Sequence, residues 1–306
     1  MVRVFSSRGR GAISVPASIP PIVFTDGDWP SILNRPIFDA TTNTLSWTGP
    51  LGGGPNDGSP VRQHSLLTDV NTEVITSSNG QILQGLNCLQ AVRIRHNNVT
   101  LRQCRISNDE VFMVEIDANF PTGVVVEDCM FQGTGVGIDN NPAGWVPDTG
   151  GGGSICRRCN FLDLVHPIII GEDNMQIQDN WIHDLETSAI AHTDGIIGSG
   201  GFTACTIYHN AIYSLDTSDI LSQNEIAAFS GLVINNNILV MDNGSACIVI
   251  RNKNNAHLPI GAITITNNLM GKGHTYNDID TGVITGPIIY TGNVDRLTGA
   301  PVNIGD

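Results

Sequence analysis

The residues able to do chemistry crowd into one stretch, Trp181-Ile-His183-Asp184-Leu-Glu186-Thr-Ser-Ala-Ile-Ala-His192-Thr-Asp194-Gly195. His166, Glu225 and Arg251 join it if neighbouring segments stack in register. Two reactions suit such a set. Elimination beside a carboxylate needs a base and a cation that neutralises the acid, and Arg251 offers either role near His192. Hydrolysis of a glycosidic bond needs two carboxylates, which Asp194 with Glu225, or Asp184 with Asp194, supply. Asp194 and Glu225 would also accept a hard cation such as Ca2+, although neither reaction requires a cofactor and no metal site is expected. Trp181, His183, Asp184 and His166 add an aromatic face and polar groups for holding a sugar. The structural alternative is that His192 and Asp194 pair with each other and cap a strand.

Stacking in register is what the rest of the chain predicts. The pattern Ile177-Gln-Asp-Asn180-Trp-Ile182 returns as Ile207 to Ile212, Ile234 to Leu239 and Ile265 to Met270. Upstream the same frame carries cysteine at its fourth place, at Cys104, Cys129 and Cys159. Successive key positions, from 104 to 268, are 25, 30, 21, 30, 27 and 31 residues apart, a spacing that marks a repeat architecture. Residues three apart on a continuous strand face opposite ways. For both Ile177 and Asn180 to point inward, the chain must bend between them, and Asn tolerates the left-handed conformation of such a bend. The expected fold is therefore all-β: a single-stranded right-handed parallel β-helix of about eight or nine coils, with Asn180, Asn210, Asn237 and Asn268 stacked as a ladder.

Residues 1–60 carry no repeat and read as an extended N-terminal arm, with one short strand at Thr44 to Trp47 and a Gly/Pro-rich linker. The body is expected over 61–293, with recognisable repeats from about Thr72, and 294–306 as a tail or cap. Second-sheet strands are expected at Ala91–Ile94, Phe112–Ile116, Val136–Ile138, Ile168–Ile170, Gly195–Ile197, Glu225–Phe229, Cys247–Ile250 and Pro287–Tyr290. Insertions are expected at Asn140–Gly153, Asp184–Thr193 and Asn252–Pro259. Asp216 and Asp219 read as turn residues.

The chain carries 15 Lys+Arg against 29 Asp+Glu, a formal charge of −14, and only two lysines, Lys253 and Lys272. That balance excludes nucleic acid and anionic membrane as partners, because both need a basic face. It is compatible with neutral glycans or with docking onto another protein. No apolar run is long enough to span a membrane. Pro16, Pro20 and Pro21 interrupt the apolar stretch behind Arg3, Arg8 and Arg10, so no signal peptide is expected. The seven cysteines lack a disulfide-framework spacing and read as buried thiols formed in a cytosol. The apolar cluster Ile19, Ile22, Val23, Phe24, Trp29, Ile32, Leu33, Ile37 and Phe38 needs a host, either a neighbouring subunit or the open first coil.

The Trp181–Gly195 segment, the NNVTLRQCRI opening at Asn97 to Ile106 and the Thr264–Asn268 motif together resemble the pectate-lyase-like right-handed β-helix superfamily over residues 72–293. The resemblance implies the fold and leaves function open, since the superfamily spans lyases, hydrolases, epimerases and inert viral proteins. Lysines for lyase chemistry are nearly absent, and no paired-Asp motif of polygalacturonases is present. The expectation is a bacteriophage virion surface protein, a decoration protein or short spike, that binds host or environmental glycans. It would be assembled in the host cytoplasm as a homo-oligomer, a trimer, and attached to a capsid or virion protein through the arm. The alternative is a secreted polysaccharide lyase or glycoside hydrolase acting on an acidic polysaccharide, and a third possibility is an adhesive module without turnover.

Overall fold

The structure, a computed structural model, describes residues 36–39, 41–42, 44–47, 62–63, 67–108, 110–117, 120–134, 143–147, 151–186, 192–241, 244–253, 258–271 and 274–306. Among these, a parallel β-solenoid runs from Thr68 to Asp295. Each coil contributes up to three short strands to three parallel sheets. Sheet I holds nine strands, from Ile82–Gln84 to Ile288–Thr291. Sheet II holds ten, from Thr68–Val70 to Val294–Asp295. Sheet III holds nine, from Val74–Ile75 to Thr275–Ile279.

The Asn corner lies between sheets I and II. Cys159, Asn180, Asn210 and Asn237 donate their backbone N–H groups to the side-chain oxygen one coil onward, at 2.9–3.0 Å. Asn268 does the same to Asn293 at 3.1 Å, so the ladder extends one step beyond the repeats visible in sequence. Each Asn amide from 180 to 293 also donates to a carbonyl of the preceding coil, at 2.9–3.1 Å. In the upper coils the thiols imitate this weakly: Cys104 Sγ lies 3.7 Å from Leu83 O and Cys129 Sγ lies 3.6 Å from Leu101 O.

The bend itself does not fall on the ladder residue. The left-handed residue is its predecessor: Asp179 (φ 57°), His209 (φ 55°), Asn236 (φ 56°) and Asn267 (φ 58°), with Gln103, Asp128 and Arg158 above them. The ladder amide must point inward to reach both neighbours, so the turn is made one residue earlier.

One continuous core fills the solenoid. It holds Leu101, Val126, Cys156, Ile177, Ile207, Ile234 and Ile265 from sheet I, and stacks Phe131 on Phe161 at 4.5 Å between ring centroids. All seven cysteines are free and buried.

Several expected strands move. Glu225–Phe229 is not the strand of its coil; Ser218–Gln223 is, so Asp219 is a strand residue rather than part of a turn. Its polar flanks concealed the buried Ile220 and Leu221. Ala143–Pro147, taken as insertion, is a sheet III strand with Trp145 fully buried, whereas Val136–Ile138 lies outside the described residues. Ile288–Thr291 belongs to sheet I.

The tail covers the last coil. Tyr276 N–H donates to Asp306 O at 2.9 Å, and Asn277 Nδ2 donates to Asn303 O at 2.9 Å. The N-terminal region is more than an extended arm. Pro36–Asp39, Thr44–Trp47 and Arg62–Gln63 form a small antiparallel sheet. Its first strand approaches Met130–Gln132 of sheet II on the same chain. Residues 1–35, with Ile19 to Leu33 of the expected apolar cluster, lie outside the described residues.

Candidate functional site

The turns from sheet II into sheet III set successive coils side by side. Thr217 N–H donates to Thr193 O (3.2 Å), Ser245 N–H to Thr217 O (2.9 Å) and Thr275 N–H to Ser245 O (3.2 Å). Thr217 and Ser245 thus stack in a column of hydroxyls at strand spacing, about 4.8 Å, and Thr275, in register with Ala246, joins its end by donating its hydroxyl to Ser245 O at 3.1 Å. Asp216 and Gly244, just before Thr217 and Ser245, form a second column that His192 continues upward, and His274 N–H donates to Gly244 O at 3.3 Å. A groove of about 630 Å³ follows the two columns, lined by His192, Asp216, Thr217, Ser245, His274 and Asp278 among others. Gly244 is required by close packing: a Cβ there would lie 2.5 Å from Asp216 O and 2.2 Å from Sδ of the core residue Met241.

Asp194 lies beside this groove but not in it. A Cβ on Gly195 would meet the core residue Ile212 at 2.5 Å, so Gly195 faces inward and Asp194 outward. Its register partners are Ser218 and then Ala246, which packs with Leu221 and Val249 on the outer face of sheet III. Asp194, a candidate catalytic carboxylate by sequence, is only 1% exposed. Nor does it pair with His192. Its Oδ1 accepts from Ser218 Oγ at 2.5 Å, and His192 Nδ1 lies 3.3 Å from Thr217 Oγ1. Burial pushes the Asp194 carboxyl up to about 7, against the Ser218 hydroxyl and the Arg251 charge, which act the other way, and with the Asp216 charge adding to the rise. His166, on the adjacent strand, is pushed down to about 4, chiefly by burial, and the backbone of Asp194 opposes the shift.

The other expected site residues are dispersed. Glu225 lies two residues beyond the strand Ser218–Gln223, and Arg251 ends its own strand, five residues, about 17 Å, along from Ala246. Glu225 Oε2 is held by Lys253 Nζ at 3.3 Å and Gln223 Nε2 at 3.0 Å. The structure therefore brings together neither the Asp194–Glu225 carboxylate pair nor the cation site built on it. Among the described residues, no group of three or more His, Cys, Asp or Glu converges to hold a metal. Trp181 and His183 lie on sheet II, stacked at 3.4 Å between ring centroids. His183 is locked between Asn160 Oδ1 (2.8 Å) and Asp184 Oδ2 (2.6 Å), apart from the groove. Residues 187–191, between Asp184 and His192, lie outside the described residues.

Ser245, His274 and Asp278 were not singled out by sequence, and Asp216 was read only as a turn residue. The signal was present in spacing alone: 192, 216, 244 and 274 recur 24, 28 and 30 residues apart, within the range of the ladder.

No protein-family model matches the chain, and no curated protein does. Two solved structures are similar in course. The Dettilon tailspike protein matches with a TM-score of 0.38 and 14% identity, over 78% of this chain and 60% of that one. The catalytic unit of a thermostable GH87 alpha-1,3-glucanase from Streptomyces thermodiastaticus matches with a TM-score of 0.24 and 10% identity, over 72% of this chain and 62% of that one. The chain thus spans about three fifths of the length of each.

Proposed function

We propose that the chain is a glycan-binding β-helix displayed on the surface of a bacteriophage particle, and that it holds polysaccharide without turnover. The observation that carries this reading is the groove. Thr217, Ser245 and Thr275 place a hydroxyl along it on each of three successive coils, and the rise per coil is close to the length of one pyranose, so a sugar chain lying along the axis meets a hydroxyl at each coil. The residues proposed from sequence for catalysis are committed elsewhere: Asp194 to Ser218 and Glu225 to Lys253. The seven unpaired cysteines support assembly in a reducing compartment. The test is retention of the purified chain on a panel of immobilised polysaccharides, with reducing ends and unsaturated products measured in parallel. Retention without product supports the reading, and failure to bind any glycan overturns it. Recovery of the chain with purified phage particles tests the display.

One observation favours a hydrolase instead. Burial pushes the Asp194 carboxyl up to about 7, the charge of the groove residue Asp216 adds to the rise, and acid-assisted glycoside hydrolysis requires a carboxyl of raised pKa beside a second carboxylate. Reducing ends that appear with the native chain and vanish in Asp194→Asn would establish that reading.

A further inference from the structure

The ligand class of this groove follows from its charges, given the glycan-binding reading. Its ionisable lining consists of Asp216, Asp278, His192 and His274, with no Lys or Arg among the described lining residues. Asp278 is exposed and Asp216 half-buried, so both carboxylates are open to a ligand. The tail that closes the groove's end, where Gly305 lines it, finishes in Asp306. Arg251 and Lys253 do not line the groove: Arg251 ends its strand, Lys253 is engaged by Glu225, and both charges act on the buried Asp194 beside it. A uronate laid in the groove would bring its carboxylate against two aspartates, with no Lys or Arg among the described lining residues to pair with it. A protonated amino sugar would find those aspartates as partners and the hydroxyl column for its ring.

We propose that the groove selects glycans bearing free amino groups, such as glucosamine oligomers, over neutral glycans and against uronates. The acidic polysaccharide expected from sequence is the class it disfavours. The −14 charge of the whole chain adds a long-range field of the same sign.

The experiment compares glucosamine oligomers, their N-acetylated counterparts and oligogalacturonate by calorimetry, at a pH where the amine is protonated. The backbone shape of the first two is the same, so their ratio isolates the charge. The expected result is about tenfold preference for the amino form at low salt, shrinking towards parity at high ionic strength. Asp216→Asn and Asp278→Asn, each checked for native thermal unfolding, should each lower that ratio about threefold. Equal affinity for both forms, tighter binding of oligogalacturonate, or an unchanged ratio in both variants overturns the inference while leaving the glycan-binding reading intact. Failure of all three ligands, together with failure of the polysaccharide panel, overturns that reading as well.

Discussion

The side-chain oxygen of Asn210 accepts two hydrogen bonds from Asn180, one from its backbone N–H and one from its amide, both at 3.0 Å. The same double acceptance recurs from Asn210 to Asn237, Asn237 to Asn268 and Asn268 to Asn293. Asn237→Ala would leave the backbone N–H of Asn210 buried without an acceptor, take one of three acceptors from the Asn210 amide, and remove the Asn237 amide from Ile207 O and Asn268 Oδ1. The expected cost is about 3 kcal/mol, because each orphaned buried donor costs about 1–3 kcal/mol. Cys129→Ala removes only a weak thiol donor and some packing, about 1 kcal/mol. Urea unfolding of the two variants checks the order; an Asn237→Ala loss no larger than that of Cys129→Ala would refute the role given to the ladder.

Asp194 supplies a pH test. Its carboxyl is near 7 in the folded chain, against an ordinary value of about 3.9 when unfolded. Between about pH 4 and 7 the native state therefore holds more protons than the unfolded state, and stability falls as pH rises through that window. Glu172, also pushed to about 7 by burial, contributes a fall of the same sign. Asp194→Asn keeps an acceptor for Ser218 and removes one of the two. It should raise the unfolding temperature at pH 8 and leave it nearly unchanged at pH 4. The effect at pH 8 is at most about 4 kcal/mol. An equal shift at both pH values would mean that the carboxyl is ionised throughout.

The repeat was legible because Asn and Cys occur at one frame position between apolar partners, and the solenoid and its ladder follow from that. Asn293 was missed because its coil, Tyr290-Thr-Gly292-Asn293, places Gly at the bend in place of the polar residue found in the coils before it. The groove was harder to read. His192, Asp216 and His274 adjoin only through backbone pairing across coils, and nothing local in sequence distinguishes Asp216 from an ordinary turn residue. Motif resemblance led instead to Asp194, whose burial under the outer face depends on the register of sheet III.

The thiols make a direct check. All seven cysteines are free and buried, and burial pushes Cys88 up to about 12, with the nearby Cys104 adding to the shift. Thiolate at Cys88 is therefore scarce at pH 8, and with all seven thiols buried the native protein should react slowly with a disulfide reagent. After denaturation without reductant, seven thiols should be titrated. A count of five or fewer would reveal a bridge and count against assembly in a reducing compartment.

The hydroxyl column makes a site-level prediction. Ser245→Ala and Thr217→Val remove one hydroxyl each from the groove while keeping the backbone pairing that carries the coil. Each should lower glycan affinity about fivefold, the worth of one hydrogen bond of about 1 kcal/mol, with unfolding temperature little changed. Unaltered affinity in both variants would move the binding surface elsewhere, and the stacked Trp181 and His183 on sheet II would be the next face to test.

The tail makes the last prediction, through the edge that it hides. A parallel solenoid ends in a row of unpaired backbone groups that invites another chain. Here Asp306 O takes the Tyr276 N–H, Asn303 O takes the Asn277 amide, and Gly305 N–H returns to Asn277 Oδ1 at 2.9 Å. Asp295 fixes the base of this lid by accepting from Thr298 N–H at 2.6 Å and from the Tyr276 hydroxyl at 2.8 Å. Deleting residues 296–306 would strip the last strand of sheet III, Thr275–Ile279, of these partners while leaving the core of the preceding coils in place. The shortened chain should still unfold cooperatively but should associate beyond the full-length protein as concentration rises. Light scattering across a concentration series reads this out. A truncated chain whose mass equals that of the full-length protein at every concentration would show that the tail is not what protects the edge.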